Sequence, residues 1–146
     1  MTSTQATEPA IAELYNRVQQ FYARQMRLLD DGQVAEWAAT FTVDGSFAAN
    51  AHPEPTVGRA AIEAGAGRTV AELASDGVVR RHWLGMLSVE PRADGTLRTR
   101  CYALVISTPK GGQAGVHVST SCDDLLVRSG DTFLVRERYV VRDDLS

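Results

Sequence analysis

Lysine is almost absent from this 146-residue chain: Lys110 is the single one, and the other fourteen basic residues are arginines. Acids outnumber bases by 18 to 15, giving a formal charge of -3, so there is no basic footprint of the kind that neutralises a phosphate backbone. No nucleic acid is expected as a partner. The arginine bias is compositional, because acids lie among the arginines, and no anion site is read from it. Cysteine is nearly as scarce. Cys101 and Cys122 form no CxxC pair and sit in strand-like segments, which reads as two reduced, buried small hydrophobes rather than a disulfide or a zinc site. The three histidines, His52, His82 and His117, lack HxH or HxxxH spacing, so no metal centre is expected. GxSxG, GxGxxG after a strand and the Walker loop are all missing, and the expected chemistry is cofactor-free. No stretch approaches the ~18 apolar residues that cross a bilayer. The first nine residues have no positive charge followed by an apolar run, so they do not read as a secretory signal. Residues 1–10 read as a disordered tail, and the expected location is the cytoplasm.

What remains is the composition of one domain, residues 11–146, with 44% hydrophobic residues to form its core. Ile11, Leu14, Tyr15, Val18, Tyr22, Met26 and Leu29 recur every three or four positions, the stripe of an amphipathic helix that stops at Asp30, Asp31 and Gly32. A shorter helix is expected from Gln33 to about Phe41. Asp44 and Gly45 then turn the chain into a strand over Ser46–Asn50, and the two prolines between His52 and Thr56 mark a loop. A third helix is expected from Arg59 to about Leu73, weakened by Gly65 and Gly67, which also read as small residues for close packing. Four strands follow, Arg80–Glu90, Leu97–Thr108, Gly115–Arg128 and Thr132–Arg142, joined by short Gly/Asp turns that imply an antiparallel meander. Helices followed by a meander make a layered α+β domain. In the strand from Leu97 neither parity is wholly polar, so the sheet needs a cover on each side: the helices on one, a second copy of the chain on the other.

The order of the pieces LDDGQVAEWAATFTVDGSF, VGRAAI, RHWLGMLSV and DDLLVRSGDTFLVRERYVV resembles the SnoaL-like, nuclear transport factor two-like superfamily, which includes polyketide cyclases, scytalone dehydratase and steroid isomerases. The resemblance runs from about Tyr15 to Asp143. It implies a cone-shaped curved antiparallel sheet in the order α-α-β-α-β-β-β-β with helices covering the concave face, a mouth that admits a small-molecule substrate, and homodimers through the outer sheet face. It places a catalytic His at His82, just after the third helix, where imidazole exchanges protons with a bound hydroxyl or enol. The other reading of His82 is a structural His bonded to a carboxylate. Asp124 matches a position that carries an acid in steroid isomerase-like and cyclase relatives. Its flanking Cys122 and Leu126 share its face, so burial suits it to hold a proton, or it pairs with His82 or Arg138. Asp30 matches an Asp that scytalone dehydratase-like enzymes direct into the pocket; the alternative is a solvated helix end. Arg138 matches a pocket-lining position and either clamps a carboxylate, neutralises Asp124 or lies at the surface.

Tyr22, Met26, Trp37, Phe41, Phe47 and Met86 are candidates for apolar pocket wall or plain core. His117 has the parity opposite to Asp124 and reads as outward. Two departures narrow the reaction. Ala49 and Gln25 stand where steroid isomerase relatives carry an Asp base and a Tyr donor, and Ser107 stands near the second His of scytalone dehydratase. A His/Asp pocket survives. The expected function is a cofactor-free cyclase, dehydratase or isomerase acting on a polyketide-like carbonyl compound. The alternative is a noncatalytic ligand-binding module or one similar to the dioxygenase β subunit. The site reading puts His82 and Asp124 together in one hollow and expects Asp124→Asn to abolish turnover with folding intact.

Overall fold

The structure is a computed structural model that describes residues 8–145. The helical stripe gives α1 (Glu8–Asp30), followed by α2 (Val34–Ala38), β1 (Phe41–Ala49), β2 (Thr56–Val57), α3 (Arg59–Asp76), β3 (Val78–Pro91), β4 (Leu97–Pro109), β5 (Gly115–Ser129) and β6 (Thr132–Arg142). The expected tail falls mostly on residues 1–7, outside the described residues, and α1 starts at Glu8. None of the described helices is long and apolar enough to cross a membrane.

The six strands form one curved, unclosed sheet in the order β2-β1-β6-β5-β4-β3. The meander β3 to β6 is antiparallel throughout, as the Gly/Asp turns require. β1 pairs with β6 in parallel, a pairing that hairpin chemistry cannot reveal because α3 and four strands intervene. The second helix ends earlier than its Trp37/Phe41 spacing implies. Phe41 opens β1, and the Asp44-Gly45 turn is an irregularity inside that strand between Phe41 and Ser46. Thr56, expected in a loop, forms the two-residue β2 against Ser46 and Phe47.

Val18, Phe21, Tyr22, Trp37, Phe41, Leu97, Leu126, Phe133 and Val135 make the core between α1, α2 and the concave face of the sheet. They gather at the narrow end, where Trp37 meets Phe41 edge-on at 5.0 Å and Phe21 meets Phe133 at 6.0 Å. Toward the other end the same face is less covered: Leu84, Ala103, Val105, Val118, Cys122 and Val140 are only half-buried. The cone is thus packed solid at one end and only partly covered at the other, its open end.

β3 contains a bulge that reverses its alternation. Gly85 pairs with Tyr102 and Ser88 with Arg100, so one extra residue is accommodated on β3, and Met86 adopts φ 56°. Leu87 and Val89 therefore turn inward, while Met86, a candidate for pocket wall or core that strict alternation would put on the face of His82, is 78% exposed. Parity counted from His82 fails beyond Gly85 for this reason. The two cysteines are free and directly opposed across β4 and β5.

Candidate functional site

Two polar groups occupy the concave face, one at each end. At the open end, α1 finishes with Asp30 beside β3. The Asp30 carboxylate accepts a hydrogen bond from the His82 backbone N–H at 3.0 Å and contacts His82 Nδ1 at 2.6 Å. The Asp30 side chain is 8% exposed and that of His82 is 24% exposed. Two anchors on one carboxylate fix the ring. With Nδ1–H donating to Asp30, Nε2 is left as the basic nitrogen, and it forms no hydrogen bond with any described residue. Asp30 is therefore a partner of His82, not a solvated helix end, and the opposed charge at the helix terminus is offset by this contact.

At the narrow end Asp124 is 1% exposed and completely engaged. Arg138, on the neighbouring register position of β6, donates to it from Nε and Nη2, both at 2.9 Å. The Tyr22 hydroxyl donates at 2.6 Å, and Cys122 Sγ lies 3.5 Å away. The Thr99 hydroxyl, 2.5 Å from Tyr22, donates onward into the phenol oxygen. Arg138 Nη2 also donates to Gln25 Oε1 at 2.8 Å, and Gln25 Nε2 donates to Thr40 Oγ1 at 2.7 Å. The Arg138 guanidinium lies 5.4 Å from the Phe41 ring. Every acceptor site of the carboxylate is used. Burial, with the Asp124 charge beside it, holds the Tyr22 phenol well above its ordinary range, and the Cys101 contact, burial and Asp124 together hold the Cys122 thiol up. Asp124 likewise keeps Arg138 charged against the cost of its burial.

The sheet keeps these groups apart. His82 pairs with Val105 of β4, whereas Asp124 pairs with Thr99 of the same strand. Thr99 and Val105 are separated by about 20 Å of extended chain. The expected convergence of His82 with Asp124 does not occur: Asp30 takes the place beside His82, and Arg138 takes the place beside Asp124. Of the other candidates, Tyr22, Gln25, Met26, Trp37 and Phe41 are buried in the narrow end, Phe47 is half-buried against it, and Met86 is outside. Ser107, half-buried, pairs with Arg80 next to His82. The Trp37 indole N–H has no partner among the described residues.

Sequence reasoning passed over Thr99 and Thr40, whose roles depend on long-range register, and Arg80. Arg80 shares the parity of His82, a signal that was available but is common to many arginines here. It reaches across to His117, which sits where β5 bulges between Val116 and Val118, with Nη2 3.3 Å from His117 Nε2. His117 is exposed as expected, yet it contacts a side chain of the concave face.

Two surface depressions stand out. One, of about 430 Å³, runs along α1 beside Ile11, Ala12, Tyr15 and Asn16, and it brings no acid/base pair together. The other, of about 610 Å³, lies between α3 and β3 and is lined by Thr69, Glu72, Leu73, Asp76 and Arg80. Neither is lined by Asp124, by His82 or by Asp30. No group of three or more His, Cys, Asp or Glu among the described residues is arranged to hold a metal ion.

Among proteins of known structure, Aln2 from a Streptomyces species is 39% identical, with 91% of this chain and 93% of that one covered at a TM-score of 0.84. A protein from Catenulispora acidiphila in complex with S-DNPA is 38% identical over 91% and 96% of the two chains, with a TM-score of 0.77. ActVI-ORFA from Streptomyces coelicolor is 31% identical over 92% and 98%, with a TM-score of 0.84. No curated protein sequence matches significantly. The SnoaL-like domain profile matches residues 10–139, nearly the whole cone, and the chain belongs to the SnoaL-like domain family.

Proposed function

We propose that the chain is a cofactor-free acid/base enzyme of the cyclase, dehydratase or isomerase kind, acting on a polyketide-like carbonyl compound at the open end of the cone. The observation that carries this reading is the Asp30–His82 pair, a half-buried imidazole oriented through both its ring and its backbone by one shielded carboxylate. The SnoaL-like family, which includes polyketide cyclases and isomerases, supports the reaction class. The relative in complex with S-DNPA supports a small-molecule ligand.

In this mechanism His82 Nε2 removes a proton from the carbon next to the substrate carbonyl, or from a hydroxyl. Asp30 holds the ring in the tautomer with a basic Nε2 and stabilises the imidazolium that forms. The same nitrogen returns the proton to the oxygen or carbon where the new double bond or ring requires it. Such a step gains about 10²–10⁴-fold from a positioned base. Asp124 plays no part in proton transfer here. With Arg138, Tyr22 and Gln25 it closes the floor of the cone and holds α1 against the sheet.

The test is solvent exchange. In D₂O the protein should accelerate deuterium incorporation next to the carbonyl of a bicyclic aromatic ketone such as tetralone, followed by NMR. His82→Ala and Asp30→Asn should each reduce that acceleration by about 10²-fold or more, with circular dichroism unchanged. An exchange rate no faster than buffer across a panel of such ketones would leave the noncatalytic binding module as the reading.

The outer sheet face supports pairing of two copies. Trp83, Tyr102 and Val116 are 67%, 63% and 62% exposed there, on three adjacent strands.

A further inference from the structure

We infer that Cys101 and Cys122 form a dithiol site on the concave face, which a hydroperoxide closes into a reversible disulfide tying β4 to β5. Each cysteine taken alone reads as a small buried hydrophobe; the sheet register makes them a pair. They stand directly opposite each other in a β4–β5 ladder that runs without a break from Leu97 to Val105. Opposed residues of an antiparallel pair have Cα atoms about 4.5 or 5.5 Å apart, depending on the hydrogen-bonding position. Both spacings fall inside the range of about 4.4–6.8 Å that a disulfide spans. Cys122 Sγ lies 3.5 Å from the Asp124 carboxylate, which puts it on the concave face, and side chains opposed across a ladder share a face. They are the only cysteines of the chain, so neither has a competing partner within it.

The surroundings make the pair reactive rather than inert. Cys122 is half-buried, at the point where the cover of the concave face thins, which gives a small oxidant access. The two thiols contact each other, and this contact draws the Cys101 thiol below its ordinary range while holding Cys122 up. Cys101 is therefore the first to ionise. On its other side, β4 meets the β3 bulge: Tyr102 pairs with Gly85 and Arg100 with Ser88, so Met86 and Leu87 together oppose Cys101. The bulge interrupts that ladder. The backbone at Cys101 can then make the small shift that takes opposed Cβ atoms from about 4.5–5.5 Å to the ~3.8 Å of a disulfide. Closure works against the ladder spacing, and a bond held under such strain is readily reduced.

The chemistry balances with the peroxide as the one co-reactant. The Cys101 thiolate attacks a peroxide oxygen, the O–O bond breaks, and the leaving oxygen takes up the proton that Cys101 released, which gives a sulfenic acid. The Cys122 sulfur then attacks the Cys101 sulfur. The S–O bond breaks and its oxygen leaves as water with the Cys122 proton. The two thiols give up an electron pair, and the O–O bond receives it. Asp124 loses one weak donor, the Cys122 thiol, and keeps Arg138 and Tyr22, so the floor of the cone holds in both states.

The test counts thiols in the wild-type chain. After native incubation with hydrogen peroxide, then unfolding and alkylation, the monomer should have no reactive thiol, be lighter by about 2 Da before alkylation, and yield a Cys101–Cys122 cross-linked peptide. Millimolar glutathione should restore both thiols, and circular dichroism should be the same in the two states. Cys122→Ser, treated alike, should carry a sulfenic acid on Cys101 that dimedone traps. Two alkylatable thiols after treatment, sulfinic or sulfonic acid without the cross-link, cross-links only between chains, or loss of the native circular dichroism on closure would each overturn the site. It rests on sheet register and stands independently of the proposed reaction.

Discussion

At the scale of single residues, Asp124 pairs with Arg138 and Asp30 with His82. Asp124 is the buried half of an ion pair, and removing it strands Arg138 in the core. Asp124→Asn or Asp124→Ala is expected to destabilise the fold by about 3–5 kcal/mol, a fall of roughly 10–16 °C in Tm on thermal melting. That outcome would run against the intact folding expected from the sequence. Tyr22 supplies a pH-dependent counterpart. Its native phenol keeps its proton where the unfolded chain begins to lose one near pH ~10. The contribution is therefore complete below that pH and is lost as the pH rises from there toward the raised native value. Urea midpoints of the wild type should begin to fall near pH ~10 and continue to fall above it. Tyr22→Phe should start about 1.5–3 kcal/mol lower at neutral pH and show a shallower alkaline decline.

Among the elements, α3 was legible in extent apart from its last turn, which runs to Asp76 and ends on Gly77 in the left-handed conformation at φ 67°. Its internal glycines were misread. A Cβ at Gly67 would meet nothing within 4 Å, and one at Gly65 only the end of Arg68, so neighbouring backbone does not demand either glycine. Gly67→Ala is expected to stabilise the protein by about 0.5–1 kcal/mol through the unfolded state, measured as a raised urea midpoint. A loss of stability would mean that α3 packs more closely than these distances allow. β3 illustrates the opposite case. Its alternation gave the correct face for His82 and Leu84 and the wrong one for Met86, because a bulge shifts parity without leaving a glycine at its positive-φ residue. Strand boundaries in the meander were readable to within two residues because Gly/Asp turns are local chemistry. The parallel β1–β6 pairing was not readable, because it joins segments separated by most of the chain.

For the whole molecule, the apolar outer face is the feature that a lone copy leaves uncovered. A pair built on it would bury Trp83, Tyr102 and Val116, and a stable interface of this kind buries about 1,600 Å² in total. Sedimentation of the wild-type chain is expected to give twice the monomer mass, and Trp83→Glu the monomer mass with the Tm of the isolated cone. A monomeric wild type at millimolar concentration would exclude this pairing. The sequence alone settled the fold class, the run of elements apart from β2 and the family resemblance, because amphipathic period, turn residues and their order are properties of short segments. It also named His82, Asp30, Asp124 and Arg138 as candidate site residues, each with a structural or surface alternative. Which of them meet was decided only by the tertiary structure. Four chemically plausible partners can be joined in several ways, and sheet register, a sum of pairings between distant segments, puts Asp30 at one end of the cone and Arg138 at the other.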